Sequence, residues 1–245
     1  MALTHAAPAL AEVTTPDEGS TVPATMAHEE LLARTDFFGG AAPALLRELA
    51  AQGNELPLIR GDVLFREGDT ADSLYLVVSG RVAIVIANPI DLRETVVALM
   101  DGGDLFGEMA LLDDGPRSAM ARALEPSTVF AIPFAPVITA FRNDPNLLWG
   151  VTRLLAQRLR VMDEALADSV FLDVTGRTAK RLLELSEGAD DFMMPITQEE
   201  LAGMVGASRE RVNKSIASFI RLGWLEQHDR HYEIRRRDAL ELRAR

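Results

Sequence analysis

Phe106-Gly107-Glu108-Met109-Ala110-Leu111-Leu112-Asp113-Asp114-Gly115-Pro116-Arg117-Ser118-Ala119 sets a carboxylate, a guanidinium and a hydroxyl among glycine turns. Gly107 has no side chain, so backbone amides can approach an anion there. The short apolar run after it, starting at Met109 and Ala110, can open a helical turn with free N–H groups. Arg117 is a planar, two-pronged cation suited to a phosphate, and Ser118 adds a donor. Glu108 repels phosphate but can accept from a ribose hydroxyl. Gly107, Glu108, Met109, Ala110, Arg117 and Ser118 therefore describe a pocket for a sugar phosphate.

Around this stretch, from about Leu56 to Pro133, short runs rich in Val, Ile, Leu and Phe alternate with Gly and Asp turns, the pattern of an all-β sandwich or barrel. Val82-Ala83-Ile84-Val85-Ile86 is too short for a buried helix. Upstream, Leu31, Leu32, Phe37, Phe38, Leu45, Leu46 and Leu49 suit short helices broken at Gly39-Gly40 and capping the β unit. Residues 1–26, dominated by Ala, Thr, Pro and Glu without a sustained period, read as a flexible tail.

Downstream, Leu148, Thr152, Leu155, Leu159, Met162 and Leu166 repeat at alternating spacings of four and three, a heptad seam. Such a seam can pack on its own β domain or pair with a second copy of the chain. A break at Thr175-Gly176 then precedes a helical pattern carrying Ala179, Leu182, Leu183 and Leu185.

From Thr197 the chain reads as two short helices. Thr197 and Ser208 are natural N-caps, Leu201, Ala202 and Val205 form one buried face, Gly206 permits a tight turn, and Val212 and Ile216 form the second buried face. Arg209, Glu210, Asn213 and Lys214 point outward. The segment from Leu222 to Ile234 reads as a hairpin with its tip at Asp229-Arg230, which makes the unit a winged helix-turn-helix. An arginine can pair with guanine O6 and N7 and a carboxylate can accept from cytosine N4, so Arg209 and Glu210 suit a G·C-containing half-site, with Thr197 and Ser208 on phosphate.

The chain has 245 residues, 48% hydrophobic, enough for two domains with their own cores. It has no cysteine, so disulfides, thiolate metal sites and cysteine nucleophiles are excluded. No apolar run reaches the roughly 20 residues of a membrane span and no secretion signal opens the chain, so a cytoplasmic protein is expected. The net charge of −12 lies wholly in the first 171 residues, with 12 basic against 24 acidic side chains. The remainder holds 13 of each, which leaves room for a basic face that meets DNA. Glu108, Asp113 and Asp114 could in principle serve an enzyme, but His5, His28, His228 and His231 all lie away from them in sequence, so neither a catalytic set nor a metal site is expected.

The segment 106–119 resembles the phosphate-binding cassette of cyclic-nucleotide-binding domains in the cyclic AMP receptor protein (CRP/FNR) family of transcription regulators. Arg60-Gly61-Asp62-Val63-Leu64-Phe65-Arg66-Glu67-Gly68-Asp69 and Leu74-Tyr75-Leu76-Val77-Val78-Ser79-Gly80-Arg81-Val82 are similar to the family's glycine-punctuated strands, and the likeness continues to the wing near Tyr232. It implies an α+β chain: a cyclic-nucleotide-binding β jelly roll over 27–142, a long dimerisation helix over 143–171 and a winged helix-turn-helix over 172–245. By the same resemblance Glu108 takes the ribose 2′-hydroxyl, and Arg117 and Ser118 take the phosphate. The family's purine contact on the long helix is a Thr followed by Ser or Asn, where this chain has Met162 and Asp163. A carboxylate can accept from adenine's amino group but matches better the paired N1–H and N2–H donors of guanine, so beside cyclic AMP, the first expectation, cyclic GMP or cyclic di-GMP is the alternative. Control without a ligand is a third reading, and a nucleotide-binding adaptor acting through protein contacts is a reading of another class. In the family's DNA-reading pattern, Lys214 stands where arginine is usual. A homodimer would set two recognition helices about 34 Å apart, which implies a palindromic operator, with RNA polymerase as a further partner.

Overall fold

In the computed structural model, which describes residues 24–88 and 94–245, short β-branched runs build two facing antiparallel sheets. The helices α1 (Ala24–Arg34) and α2 (Pro43–Gln52) come first. They are followed by β1 (Asn54–Leu58), β2 (Val63–Phe65), β3 (Ser73–Ser79), β4 (Val82–Ala87), β5 (Glu94–Met100) and β6 (Leu105–Phe106). A single helical turn, α3 (Met109–Asp113), precedes β7 (Met120–Ala123) and β8 (Ser127–Pro133). One sheet has the order β1-β8-β3-β6 and the other β2-β7-β4-β5, the two-sheet arrangement of a jelly roll. Val77, Val82, Phe106, Ala121 and Val129 fill the space between them. Each valine and phenylalanine side chain among them contributes about 1.5–3 kcal/mol by leaving water.

The outer face of the first sheet is covered by α1, α2 and the turn between them, from which Leu32, Phe37, Phe38, Leu46 and Leu49 pack on Leu74, Leu76, Phe130 and Ile132. The expected capping helices are thus present. Helix α1 starts at Ala24, inside the stretch read as a tail, and the rest of that expectation, residues 1–23, lies outside the described residues.

Helix α4 (Phe134–Asn143) and a 3-10 turn, Pro145–Leu147, lead into α5 (Leu148–Phe171). The long helix begins five residues later than the sequence pattern suggested, because the Asp144 carboxylate accepts from the Asn146 N–H at 3.0 Å and closes a separate turn there. Leu148, Thr152, Leu155, Leu159, Met162 and Leu166 are all exposed in the single chain. The seam therefore does not pack on its own β domain.

The break expected at Thr175-Gly176 lies instead at Leu172-Asp173. Asp173 caps α6 (Val174–Leu185) by accepting from the Gly176 N–H at 2.8 Å, so Thr175 and Gly176 sit in the first turn. The C-terminal unit continues with β9 (Asp191–Met193), α7 (Gln198–Val205), α8 (Arg209–Arg221), β10 (Leu225–His228), β11 (His231–Ile234) and α9 (Arg237–Arg243). The hairpin β10–β11 turns at Asp229, whose φ of 54° is left-handed, and β9 adds a third strand.

This unit is packed on the second sheet. Ala83, Val85, Val96, Met120 and Leu124 of the jelly roll belong to one continuous core with Leu201, Ala202, Val205, Phe219 and Tyr232. The molecule is layered as helices, sheet, sheet, and C-terminal unit.

Candidate functional site

The turn between β6 and α3 and the loop before β7 bring the cassette together. Gly107 has φ +80°, and a Cβ there would lie 2.8 Å from Nη1 of Arg117, so only glycine fits both the turn and the cation. Glu108 and Arg117 are both buried, at 0% and 4% exposure. A buried guanidinium must find acceptors: Nη1 donates to the Gly107 carbonyl at 2.9 Å and Nη2 to the Ser73 carbonyl at 2.6 Å. Its plane lies 4.3 Å from the centre of the Phe65 ring, with Tyr75 and Phe134 beyond. Burial lowers the Arg117 pKa, with Tyr75 and Asp72 acting against the shift.

Glu108 bonds through Oε1 to Nη1 of Arg158, and Nη2 of Arg158 donates to the Leu105 carbonyl at 2.8 Å. Burial raises the Glu108 pKa, more than the Arg158 charge lowers it. Arg158 is the residue that sequence reasoning missed. Its only signal was a basic side chain between Leu155 and Leu159 on the seam helix, and nothing local connects it to a carboxylate 50 residues away.

Two buried polar atoms of the cassette have no partner: Oε2 of Glu108, an acceptor, and Nε of Arg117, a donor. Buried polar groups are almost always paired, so an unpaired acceptor and an unpaired donor in one cassette are groups that a ligand with a hydroxyl and an anion could complete. A ribose phosphate carries both. Ser118 is exposed at the rim with its Oγ 3.6 Å from the Met109 sulfur, and Ala110 is buried beneath. The expected two-pronged grip of Arg117 on phosphate is not presented, because both terminal nitrogens are held by backbone carbonyls. Met162, 67% exposed, and Asp163 are not brought to Glu108 or Arg117; they lie one turn beyond Arg158 on α5. Asp113 accepts from the Gly115 N–H at 3.0 Å and Asp114 is left-handed at φ 53°, so these carboxylates shape a turn. Among the described residues there is no cluster of His, Cys, Asp and Glu able to hold a metal, and no helix is long and apolar enough to cross a membrane.

The second site is built on α7 and α8. Thr197 and Glu200 form a reciprocal capping box, the Glu200 N–H donating to Thr197 Oγ1 at 3.2 Å and the Thr197 N–H to Glu200 Oε2 at 2.7 Å. Gly206 turns the chain at φ 67°, and Ser208 caps α8. Leu201, Ala202, Val205, Val212 and Ile216 are buried, as their spacing predicted, and Arg209, Glu210, Asn213 and Lys214 are exposed. Glu210 and Lys214 pair across one helical turn at 2.7 Å, which lowers the Glu210 pKa. The arginine run near the C-terminus is occupied in ion pairs: Arg235 with Glu226 and Glu233, Arg236 with Asp238, and Arg237 with Asp190.

Residues 56–144 match the cyclic nucleotide-binding domain and residues 176–243 the Crp-like helix-turn-helix domain. A CRP-like cAMP-activated global transcriptional regulator of Mycobacterium tuberculosis is 36% identical over 224 residues, 89% of this chain and the whole of that protein. The cyclic AMP receptor protein of Thermus thermophilus is 34% identical over 182 residues, 74% of this chain and 84% of its own. Among solved structures, a c-di-GMP responsive global regulator, CLP, of Xanthomonas campestris superposes with a TM-score of 0.69 at 25% identity, covering 79% of this chain and 99% of that one. A glycine-turned cassette in a jelly roll, a helix-turn-helix with a wing, and relatives of this kind over about three-quarters or more of the chain lead to one assignment: the protein belongs to the CRP/FNR family of cyclic-nucleotide-regulated, DNA-binding transcription regulators, and is not an enzyme.

Proposed function

We propose that this protein is a cytoplasmic, homodimeric regulator that binds cyclic AMP in the cassette and a palindromic operator through two copies of α8. The observation that carries the reading is the unpaired Glu108 acceptor and the unpaired Arg117 donor within one cassette, groups that a ribose hydroxyl and a cyclic phosphate would complete. Glu108 takes the 2′-hydroxyl, Arg117 and Ser118 the phosphate, and Gly107, Met109 and Ala110 the turn around it. The exposed seam from Leu148 to Leu166 supports the dimer, since a soluble chain does not leave Leu159 at 59% and Leu166 at 64% exposure along one helix face without a partner. In the dimer Arg209, Glu210, Asn213 and Lys214 face the major groove, and Thr197 and Ser208 its phosphates.

A second reading, a guanine nucleotide, is supported by Asp163 on the helix beside the pocket and by the c-di-GMP response of the Xanthomonas relative. Calorimetric titration with cyclic AMP, cyclic GMP and cyclic di-GMP decides between them. Saturable cyclic AMP binding, lost in Glu108→Ala and insensitive to Asp163→Asn, is the expected result. Selective guanine binding that falls with Asp163→Asn would establish the second reading. Sedimentation of Leu159→Asp tests the seam, with a shift from dimer to monomer expected.

A further inference from the structure

The C-terminal unit is joined to the sensor in two ways. Across the second sheet Arg122 bonds to Glu200 at 2.9 Å, Arg81 bonds to Glu187 at 2.7 Å, and Gly203 of α7 lies against the backbone of β5. The covalent link is the break at Leu172-Asp173, where α5 ends and α6 begins.

Through that link, α5 reaches the recognition helix by way of the first turns of α6. Arg177 donates through Nη1 to the Leu172 carbonyl at 2.7 Å, on the α5 side, and through Nε to the Val205 carbonyl at 2.8 Å, at the end of α7. Lys180, one turn further along, pairs with Asp168 of α5 at 2.7 Å. Thr175 Oγ1 accepts from Ser215 Oγ of α8 at 3.3 Å. The start of α6 therefore touches α5, α7 and α8 together.

A further side of α6 is covered by α9, which follows the wing and lies outside the helix-turn-helix. The two helices run antiparallel, with an arginine of α9 at each end of α6. Arg237 donates to the Asp190 carboxylate at 2.8 Å and to the Ala189 carbonyl at 2.6 Å, just past the C-terminus of α6. Arg243 donates through Nη2 to both carboxylate oxygens of Asp173, the cap at the other end. Between them Leu240 is fully buried in one core with Ala179 and Leu182 of α6. The approach is close: a Cβ at Gly176 would lie 3.0 Å from both Nη1 and the carbonyl oxygen of Arg243. Helix ends carry N–H groups without intrahelical partners and open locally more readily than helix centres, so an unsupported first turn would absorb a displacement of α5 by fraying.

We propose that α9 is a splint for α6: Arg243 and Arg237 pin its two ends, so that a movement of α5 reaches α8 undamped, and Arg243 is a positioning residue for the recognition helix. The inference rests on the nucleotide-controlled operator reading above. The Asp173 side chain is 64% exposed, and an ion pair in such surroundings adds little to overall stability, so position and stability can be measured apart.

The test measures the affinity of the full-length protein for a duplex enriched from a random pool by the wild-type protein with cyclic AMP. The ratio of affinities with and without cyclic AMP is the coupling. Arg243→Gln is expected to lower that ratio about fivefold, within the range over which single substitutions modulate coupling. Cyclic AMP affinity in the absence of DNA, followed by calorimetry, and the unfolding midpoint are expected to stay close to wild type. Arg243→Lys, which keeps the charge, is expected to lie between the two. Gly176→Ala crowds Arg243 while improving the helix propensity of its own site, and is expected to lower the ratio as well. Hydrogen exchange supplies a readout that needs no DNA. The Arg177 amide, which donates to the Asp173 carbonyl at 3.0 Å, is expected to lose protection in Arg243→Gln. A purely structural role predicts instead that operator affinity falls equally with and without nucleotide, in step with stability. That result, an unchanged ratio in both Arg243→Gln and Gly176→Ala, or unchanged protection in Arg243→Gln would each overturn the splint. A wild-type protein that enriches no duplex, or binds it equally without nucleotide, overturns the reading beneath it, and the exchange measurement then decides the splint by itself.

Discussion

Glu108, Arg117 and Ser118 in the cassette and Ser208, Arg209 and Glu210 at the start of α8 are the same three residue types, with the carboxylate and the guanidinium in opposite surroundings. In the jelly roll the carboxylate and guanidinium are out of water, fixed by carbonyls, by Arg158 and by aromatic rings, and each keeps one polar atom unpaired. On α8 all three are exposed and the carboxylate is satisfied by Lys214 on its own helix. A fixed, desolvated set suits one small ligand with a defined shape, because misfit leaves a buried group unsatisfied. A solvated set suits a long groove, where side chains must adapt to each base step and binding is shared among many contacts.

That contrast is most exposed to failure at Arg117. Arg117→Ala strands the Gly107 and Ser73 carbonyls and empties the aromatic cage, so we expect a loss of about 2–4 kcal/mol in thermal or denaturant unfolding, together with loss of nucleotide binding. Unchanged stability would mean the cassette is no more preorganised than the recognition helix. Arg209→Ala is the counterpart: roughly 1–3 kcal/mol lost against the preferred duplex, confined to one base position, with stability within about 0.5 kcal/mol of wild type. Equal losses against every duplex would reduce Arg209 to a phosphate contact. At the junction between the two regions, Asp173→Ala removes the α6 cap and should cost about 1 kcal/mol in unfolding.

The smallest effect is a pH dependence that only a buried carboxylate can show. Burial holds the Glu108 pKa above its unfolded value, so the native state takes up this proton first. Stability is therefore gained as pH falls through the raised native pKa, is complete below the unfolded pKa, and declines again as pH rises through that window. Over the same window the carboxylate is lost as a ribose acceptor and nucleotide affinity falls. In Glu108→Gln both dependences should flatten, as followed by unfolding midpoints and titrations at several pH values. Glu210, solvated and paired with Lys214, has its pKa moved the other way and should leave nucleotide affinity flat across that window.

Both candidate sites could be read from the sequence because their residues lie within 12 to 20 consecutive positions. The cassette spans Gly107 to Ser118, and the caps, glycine turn and buried faces of the helix-turn-helix span Thr197 to Ile216. The seam was legible for the same reason, as a local period. Arg158 was not, since its partner lies 50 residues away, and the fate of the arginine fork was not, since its acceptors are carbonyls that any residue carries. Least legible was the docking of the two units, whose ion pairs join residues 78 and 106 positions apart. Gly203 carried no signal either: within a helix it reads as a weak propensity, and its reason is a strand more than a hundred residues upstream.

The continuous core running from Val85 and Val96 on the second sheet to Leu201, Phe219 and Tyr232 has a calorimetric meaning. Two units that share apolar contacts lose them together, so the heat-capacity peak of the chain reports one cooperative melting unit rather than two, with an enthalpy proportional to the combined length. Any event that parts the units divides that peak, making the number of melting transitions a count of how many bodies the molecule contains in solution.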